Sequence, residues 1–254
     1  MKSFKRNDTL KEIALISDIH GNSWALTEVI ADIKRKGIQT IVNLGDSLYG
    51  PLDPKGTYQL LNENNVISIS GNQDRSIIES MNKTSDLITM EYVKSQINEK
   101  IVLWLNTLPF DMIHDNNIYC CHASPQSDST YLLEKLQPNY VSIKENHEIE
   151  NLLSDIDQKI VLCGHSHIQR IINTENKIVI NPGSVGLPAF DDDLPIPHKM
   201  ENFCSHAKYS TVKIFSNNIK IEQVSLFYDY KAAVKAAEKN NRNDWAKWIK
   251  TGRI

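Results

Sequence analysis

Hydrophobic and polar positions follow two alternating periods along the first 75 residues of the chain. Short apolar runs at 12–18, 40–46 and 65–72 are typical of strands. Between them, residues 22–36 and 54–63 place apolar side chains three and four positions apart, as on one face of a helix. This strand–helix–strand–helix–strand order predicts parallel strands joined by right-handed crossovers.

The rest of the chain has a different pattern. A long helical pattern over 86–108 precedes two strands around an Asp-Asn-Asn turn, and another helical pattern lies near 146–155. Short strands joined by Asn-rich turns then predict a second sheet that is mostly antiparallel. Residues 229–250 are predicted to close the chain as a helix, in which Trp245 and Trp248 are interpreted as packing anchors. We therefore predict an α/β fold with two sheets.

Composition is that of a soluble globular protein, with 41% hydrophobic and 23% charged residues. No stretch is rich enough in Pro, Gly or Ser to form a linker, so residues 1–254 are predicted to form a single domain. The acidic run 191–193 lies in a Pro-rich loop and is interpreted as a solvated turn.

Charge and cysteine content narrow the partners and the compartment. The net charge of −3 argues against a broad basic face for nucleic acid. No apolar run is long enough for a membrane span or a secretory signal, so no membrane association is expected. The cysteines form no CxxC pair, and adjacent Cys120 and Cys121 would point to opposite faces of a strand, so neither a disulfide framework nor a zinc knuckle is expected. We expect a cytoplasmic enzyme.

Side chains that can bind metal ions recur at the ends of the predicted strands. In chain order they are Asp18 and His20, Asp46, Asn72, His122, and His165 with His167. In an α/β sheet, ligands bind at the carboxyl ends of the strands. A lone aspartate there commonly caps a helix, but five such sets, mostly beside a glycine, favour a metal site. The His-x-His spacing allows both imidazoles to reach one site, or one each of two neighbouring sites.

These motifs (DxH, GD, GN, a lone His and GHxH, in that order) resemble those of the calcineurin-like metallophosphoesterase superfamily over residues 12–187. Within it, DIHGN, the GDxxYGP string at 45–51 and NPGSVGLP at 181–188 are similar to motifs of small bacterial and archaeal phosphodiesterases, including relatives described as diadenosine tetraphosphatases. The resemblance implies two central sheets packed as a sandwich and flanked by helices, with the metal ligands at one edge.

The resemblance also implies a centre of two divalent transition metal ions. Its ligands would be Asp18, His20 and His167 for the first ion, Asn72, His122 and His165 for the second, and Asp46 as a bridge whose two oxygens each serve one ion. This mixture of imidazole, carboxylate and amide favours Mn, Fe, Zn or Ni over Mg or Ca, with Mn preferred. A hydroxide bridging the two ions would attack phosphorus, so no side chain is assigned as nucleophile.

The segment after the GN motif departs from the family pattern. Many members continue with a histidine that protonates the leaving oxygen, whereas this chain has Gln73 followed by Asp74. An amide has no titratable proton, so Gln73 is predicted to orient the substrate, and Asp74 to cap the next helix or hold Gln73 in place. Asn22 is predicted to bond a phosphate oxygen, to cap a helix, or both. Tyr49 is assigned to loop packing, with stacking on a substrate ring as the alternative.

The leading functional prediction is hydrolysis of phosphodiester or phosphoanhydride bonds in a small molecule such as a nucleotide. One alternative is a nuclease, against which the lack of a basic or aromatic stripe argues. The other is a scaffold or binding module that kept the fold and lost catalysis. All seven ligand positions match the family pattern, which argues against that loss.

Overall fold

The computed structural model describes residues 9–138, 140–216 and 218–254. Its strands are β1 (Thr9–Ile16), β2 (Thr40–Asn43), β3 (Ile67–Ser68), β4 (Asp111–His114), β5 (Ile118–Cys121), β6 (Glu134–Gln137), β7 (Tyr140–Ile143), β8 (Ile160–Leu162), β9 (Arg170–Asn173), β10 (Ile178–Asn181), β11 (Ala189–Asp192), β12 (His198–Glu201), β13 (Ala207–Phe215) and β14 (Ile219–Leu226). Its helices are α1 (Ser23–Arg35), α2 (Pro54–Glu63), α3 (Asn72–Ser80), α4 (Ile88–Gln96), α5 (Glu99–Thr107), α6 (Asn146–Leu152), α7 (Lys231–Lys239) and α8 (Asn243–Thr251).

The first sheet has the strand order β14-β13-β1-β2-β3. Strands β1, β2 and β3 pair in parallel, with α1 and α2 as the crossovers, which confirms the prediction from the alternating periods. Strand β3 is much shorter than the apolar run at 65–72 suggests. After β3, the amide of Ser70 donates to the carbonyl of Pro109 instead of to β2. The pairing with β2 therefore ends, and α3 begins at Asn72.

The second sheet has the order β4-β5-β8-β10-β9 and is mixed. Its two central pairings, β5 with β8 and β8 with β10, are parallel, so the prediction of a mostly antiparallel sheet is wrong. Strands β13 and β14, which were expected there, extend the first sheet instead. The first six residues of β13 are buried, which suits a place beside β1, but a local apolar pattern does not reveal which sheet a strand joins.

The two sheets pack face to face around a shared core. Ile13 and Leu15 of β1 point into this core and meet Ile118, Leu162 and Ile180 of the second sheet. The alternate residues of β1 point to the other face and pack against α1. Each fully buried side chain of this size contributes about 1.5–3 kcal/mol to folding. The predicted sandwich of two sheets flanked by helices is confirmed.

Two long helical patterns each contain a break that the period did not reveal. The pattern over 86–108 divides into α4 and α5 because the side chain of Asn98 accepts a hydrogen bond from Ile101 N and begins a new helix. The pattern over 229–250 divides into α7 and α8 at Asn241, which has a positive φ of 59°. Both single-helix predictions are therefore wrong. Trp245 and Trp248 are buried in the cluster around these helices, as expected of packing anchors.

Two smaller predictions have opposite outcomes. Asp191 and Asp192 lie on β11, which pairs with β12, so the acidic run is not a simple loop. Cys120 packs in the core between the sheets and Cys121 on the outer side of the second sheet, as predicted for adjacent residues of a strand. In the parts of the chain that the structure describes, no helix combines the length and apolarity needed to cross a membrane.

Candidate metal centre

The predicted ligands lie in the turns that follow the carboxyl ends of β1, β2, β3, β5 and β8, and most of them have an unusual backbone. Asp18, His20, Asp46, His165 and His167 all have φ between 52° and 66°, in the left-handed region. Residues other than glycine rarely adopt this conformation, and it costs on the order of 1–3 kcal/mol each. Such strain persists where the surrounding structure holds it, and it concentrates at functional sites.

Backbone hydrogen bonds join the turns after β1 and β2. Asp18 N donates to Gly45 O at 3.0 Å, and His20 N donates to Asp46 O at 3.0 Å. Asp74 also holds the turn after β2, because its carboxylate accepts a hydrogen bond from Ser47 N at 3.0 Å. The turns that carry three of the predicted ligands are thus held in register with one another.

Asp74 has the role in capping α3 that its position suggested. It is fully buried, and Oδ2 accepts a hydrogen bond from Gly71 N, the residue before the helix. Its other contacts are with the backbone amides of Ser47 and Leu48. Burial raises the pKa of Asp74, although these hydrogen bonds act in the opposite direction. Its side chain therefore supports the turn after β2 rather than Gln73.

The three side chains assigned to the first ion converge. His20 Nε2 lies 3.1 Å from His167 Nε2, which in turn lies 3.4 Å from Asp18 Oδ1. In each imidazole the other nitrogen faces a carbonyl oxygen: His20 Nδ1 is 2.9 Å from Tyr49 O, and His167 Nδ1 is 2.6 Å from Leu187 O. A carbonyl only accepts hydrogen bonds, so in the neutral rings Nδ1 carries the proton and Nε2 has a lone pair.

Two of the ligands assigned to the second ion meet on the other side of Asp46. His122 Nε2 lies 3.1 Å from Asn72 Oδ1, and His122 Nδ1 is held 2.7 Å from Leu44 O. Burial lowers the pKa of His122, but the charges of Asp46 and Asp18 outweigh it and the pKa is raised. Without metal, a proton on Nε2 therefore satisfies the contact with Asn72, and a metal ion would take the place of that proton.

His165 adjoins this second group through its ring, and its backbone contacts Asp18 of the first group. Its ring centroid lies 5.2 Å from that of His122, and its amide donates to Asp18 Oδ2 at 3.2 Å. His165 Nε2 lies 3.2 Å from the carbonyl oxygen of Ser129, which leaves Nδ1 as the nitrogen with a free lone pair. The ring stacks on Tyr131 at 4.5 Å, which fixes its plane.

Asp46 lies between the two groups, as expected of a bridging residue. Its Oδ2 is 3.9 Å from His20 Nε2 and 3.6 Å from His122 Nε2. Its Oδ1, however, accepts a hydrogen bond from Gln73 N at 2.9 Å. Oδ2 is thus the oxygen that faces both groups, while the bridging role of the carboxylate stays a prediction. Asp18 also belongs to both clusters of ligand atoms that lie within 4.8 Å of one another.

The donor set fits metal ions on two independent observations. Asp18 Oδ1 is buried and has no hydrogen-bond partner among the described residues. His20 Nε2 and His167 Nε2 face each other at 3.1 Å beside this oxygen, so all three atoms are satisfied only when a proton or a metal cation lies among them. Ligand nitrogens about 2.1 Å from one ion are roughly 3 Å apart when adjacent. The carbonyl contacts at Nδ1 are the outer contacts that fix metal-binding histidines.

Buried charge makes the metal-free site unfavourable. Burial raises the pKa of Asp46 to about 7, with Asp74 and Asp18 adding to the effect and His122 opposing it. Burial also raises the pKa of Asp18, but the interaction with His167 outweighs burial, and the net effect is a lowered pKa. Burial lowers the pKa of His20 to about 3, so this ring is neutral at physiological pH. Carboxylates with so few cationic partners would be stabilised by divalent ions.

This pKa of Asp46 predicts how the stability of the metal-free protein depends on pH. The carboxyl binds its proton more tightly in the folded state, with a pKa of about 7, than in the unfolded chain, where the pKa is about 3.9. Its contribution to folding is therefore complete below pH 4 and is lost as the pH rises to about 7. We expect the melting temperature, measured in chelator, to fall less between pH 5 and 8 in Asp46→Asn than in the wild type. Parallel curves for the two proteins would contradict this assignment.

A cavity of about 240 Å³ opens over the site. Five of the predicted ligands line it, with Gln73 beside them: His20, Asp46, Asn72, His165 and His167. Three further lining residues, Phe190, Arg242 and Trp245, were not recognised as part of the site from the sequence. The Trp245 ring lies 5.8 Å from that of His20, and the Phe190 ring 4.4 Å from that of His167. These residues reach the cavity only through the tertiary fold, so no local sequence pattern identifies them as part of the site.

Asn22 does not occupy the place that a phosphate ligand would need. It is fully buried, and its Oδ1 accepts from Ala25 N at 3.1 Å as the cap of α1. Its Nδ2 donates to Gly186 O and to the hydroxyl of Tyr228. The geometry therefore supports the capping role and gives no support to the predicted substrate contact. Tyr49 lies beside Trp245 on the cavity wall, which is compatible with both of its predicted roles.

A buried network holds the turn between His165 and His167. Ser166 donates to Glu134 Oε1 at 2.8 Å, and the same oxygen accepts from Arg170 Nε at 3.2 Å. Asn181 Nδ2 donates to Ser166 Oγ at 3.1 Å from the other side. Because Ser166 is fully enclosed, these contacts fix the two left-handed histidines that flank it.

The fold is that of the metallophosphoesterases, and comparison with known proteins shows the family. The profile of the calcineurin-like phosphoesterase superfamily domain matches residues 12–196. The chain belongs to the calcineurin-like phosphoesterase superfamily.

Individual relatives extend the similarity over most of the chain. An uncharacterized protein of Methanocaldococcus jannaschii is 29% identical over 256 residues, covering 92% of this chain and 94% of the relative. A metallophosphoesterase from Sphaerobacter thermophilus has the same fold, with a TM-score of 0.73, 19% identity and coverage of 95% and 99% of the two chains. A structure described as a candidate diadenosine tetraphosphatase is also similar, with a TM-score of 0.54, 19% identity and coverage of 85% and 94%.

Proposed function

We propose that this protein hydrolyses phosphodiester or phosphoanhydride bonds in a small substrate, and that two divalent transition metal ions are bound by the seven side chains described above. The observation that carries the proposal is the convergence of three buried ligand atoms, His20 Nε2, His167 Nε2 and Asp18 Oδ1, within 4.8 Å of one another. The mixture of imidazole, carboxylate and amide donors favours Mn, Fe, Zn or Ni over Mg or Ca, and manganese is our first choice among the four.

When bound, the two ions supply positive charge to the phosphate and acidify a water molecule for attack on phosphorus. The protein's own residues position the partners in this reaction. Left-handed turns direct His20 and Asp46 into the cavity, and Gln73 lies at its wall, where its amide can bond a phosphate oxygen. We further propose that residues 1–254 act as one domain, because Trp245 and β1 contribute to the same site.

The absence of a histidine after Asn72 predicts a dependence on the leaving group. Gln73 can donate a hydrogen bond but cannot give up a proton, and proton donation commonly contributes about 10²–10⁴-fold. We therefore expect faster hydrolysis of aryl diesters and phosphoanhydrides than of simple alkyl diesters. Gln73→Ala should lower kcat/KM by a similar modest factor for good and poor leaving groups. A loss that grows with the basicity of the leaving group would show that Gln73 assists its departure.

The test of the proposed function combines metal analysis with a substrate screen. We expect about two divalent ions per chain after reconstitution, and hydrolysis of bis(p-nitrophenyl) phosphate that disappears in chelator and returns with manganese. Phosphomonoesters and dinucleoside polyphosphates complete the screen. A purified protein that binds no stoichiometric metal and hydrolyses none of these would instead be a binding member of the superfamily.

A further inference from the structure

A second, larger groove adjoins the metal centre. It has a volume of about 780 Å³, within the range of small-molecule sites, and it shares Asn72 and His165 with the cavity described above. Its walls include Tyr131, Leu136 and Leu194. A substrate with its phosphate at the metal centre would therefore have one of its ester groups within reach of an apolar surface.

The lysines and glutamates along this groove have polar partners, and the exposed carboxylate of Asp192 adds negative charge to its lining. Lys135 Nζ lies 2.6 Å from Glu148 Oε1, and Lys144 Nζ donates to the backbone carbonyls of Tyr131 and Glu134. Glu134 itself is buried and bonded to Ser166. The lysines thus present mainly their aliphatic stems to the groove. A second phosphate placed here would find no cation that is free of a partner among the described lining residues.

The cavity on the other side of the metal centre is equally unsuited to additional phosphates. Arg242 is the one lysine or arginine among its described lining residues, and its guanidinium donates to both carboxylate oxygens of Asp244. Asp191 and Asp192 line the same cavity and are exposed. Phosphate groups beyond the one at the metal centre would meet these carboxylates without compensation, which is unfavourable.

We propose that the substrate is a diester of a single phosphate with one apolar ester group, an alkyl chain or a ring, and that this group occupies the groove. This inference rests on the proposed function and narrows it, since it disfavours dinucleoside polyphosphates. A methylene group that is fully removed from water contributes about 0.8 kcal/mol, or roughly fourfold in affinity. In a groove that is open on one side, about twofold per methylene is expected until the groove is filled.

The test measures binding of alkylphosphonates, which carry one organic group and are not hydrolysed. Calorimetry on the metal-loaded protein would compare methyl-, butyl- and octylphosphonate. We expect octylphosphonate to bind at least about 30-fold more tightly than methylphosphonate. In the double variant Leu136→Ser, Leu194→Ser, that ratio should fall about tenfold. Leu103→Ser is the matched control, because Leu103 is exposed on α5 and lines neither cavity.

Several outcomes would overturn the inference. One is a dissociation constant that does not change along the alkyl series, and another is tighter binding of diadenosine tetraphosphate than of octylphosphonate. The alkylphosphonate affinities of the wild-type protein test the inference even if the double variant fails to fold. Because binding is measured without turnover, a protein that favours octylphosphonate but does not hydrolyse bis(p-nitrophenyl) phosphate would contradict the proposed function alone. Hydrolysis of bis(p-nitrophenyl) phosphate together with equal dissociation constants for the three alkylphosphonates would contradict the inference alone.

Discussion

Asp46→Asn is expected to lower the rate of phosphodiester hydrolysis by about a thousandfold or more while the protein remains folded. Removing one group that stabilises transition-state charge commonly costs 10²–10³-fold. Asp46 should be at or beyond that range because its Oδ2 faces both His20 and His122, so one substitution weakens the binding of both ions. The amide keeps an oxygen and the approximate shape but loses the negative charge between the two groups.

The measurement is kcat/KM together with metal content and the melting temperature. Metal content should fall below two ions per chain, while the melting temperature of the metal-free variant stays at or above that of the wild type. His114→Ala is the control, because His114 lies on β4 and its Nε2 pairs with Asp115 at 3.2 Å, away from the site. Equal losses of activity in the two variants would show that the site is wrongly assigned.

Gly71→Ala is expected to be nearly as damaging, for a steric reason. The backbone of Gly71, with φ −98° and ψ 175°, is one that alanine adopts readily. An added Cβ, however, would lie 2.1 Å from Asp46 Oδ1 and 2.4 Å from Asp46 N, closer than such atoms can approach. The turn that carries Asp46 would have to move, and with it the oxygen shared by the two metal groups. In dilute metal, we expect metal affinity to fall about tenfold and activity about a hundredfold.

Gly37→Ala provides the matched glycine control. Gly37 has a positive φ of 78°, which alanine tolerates poorly, but nothing lies within 4 Å of the added Cβ. This variant should lose roughly 1–2 kcal/mol of stability and keep its metal affinity. The two variants thus separate backbone strain from crowding. A Gly37→Ala protein that loses metal while Gly71→Ala retains it would refute the steric account.

The sequence was sufficient to predict the arrangement that brings the ligands together. Parallel strands place their carboxyl ends at one edge, so Asp18, Asp46 and Asn72 follow from the periods of the first 75 residues. The positions of β13 and β14 did not follow, because strand pairing over nearly 200 residues depends on which faces are buried. Local periods also hid the cap at Asn98 that divides α4 from α5.

Details within the site depended on contacts that no motif encodes. That Gln73 N engages one oxygen of Asp46 and leaves the other between the two groups is a consequence of how α3 begins. Asn22 could be a phosphate ligand or a cap by its sequence position, and only its buried contact with Gly186 distinguishes the two. Phe190, Arg242 and Trp245 reach the cavity through the tertiary fold, which is why substrate selection was harder to predict than metal binding.

The position of α8 has a consequence for how such enzymes diversify. The superfamily match ends at residue 196, yet Trp245 of α8 packs against the ring of His20 and lines the cavity. The segment that carries the predicted metal ligands and the helix that lines the cavity beside them are therefore separate in sequence. Substitutions in the C-terminal helices can therefore change the shape of the cavity without replacing any of the predicted ligands. Relatives with identical ligand motifs and divergent tails would then form a natural series of altered specificities on one unchanged reaction centre.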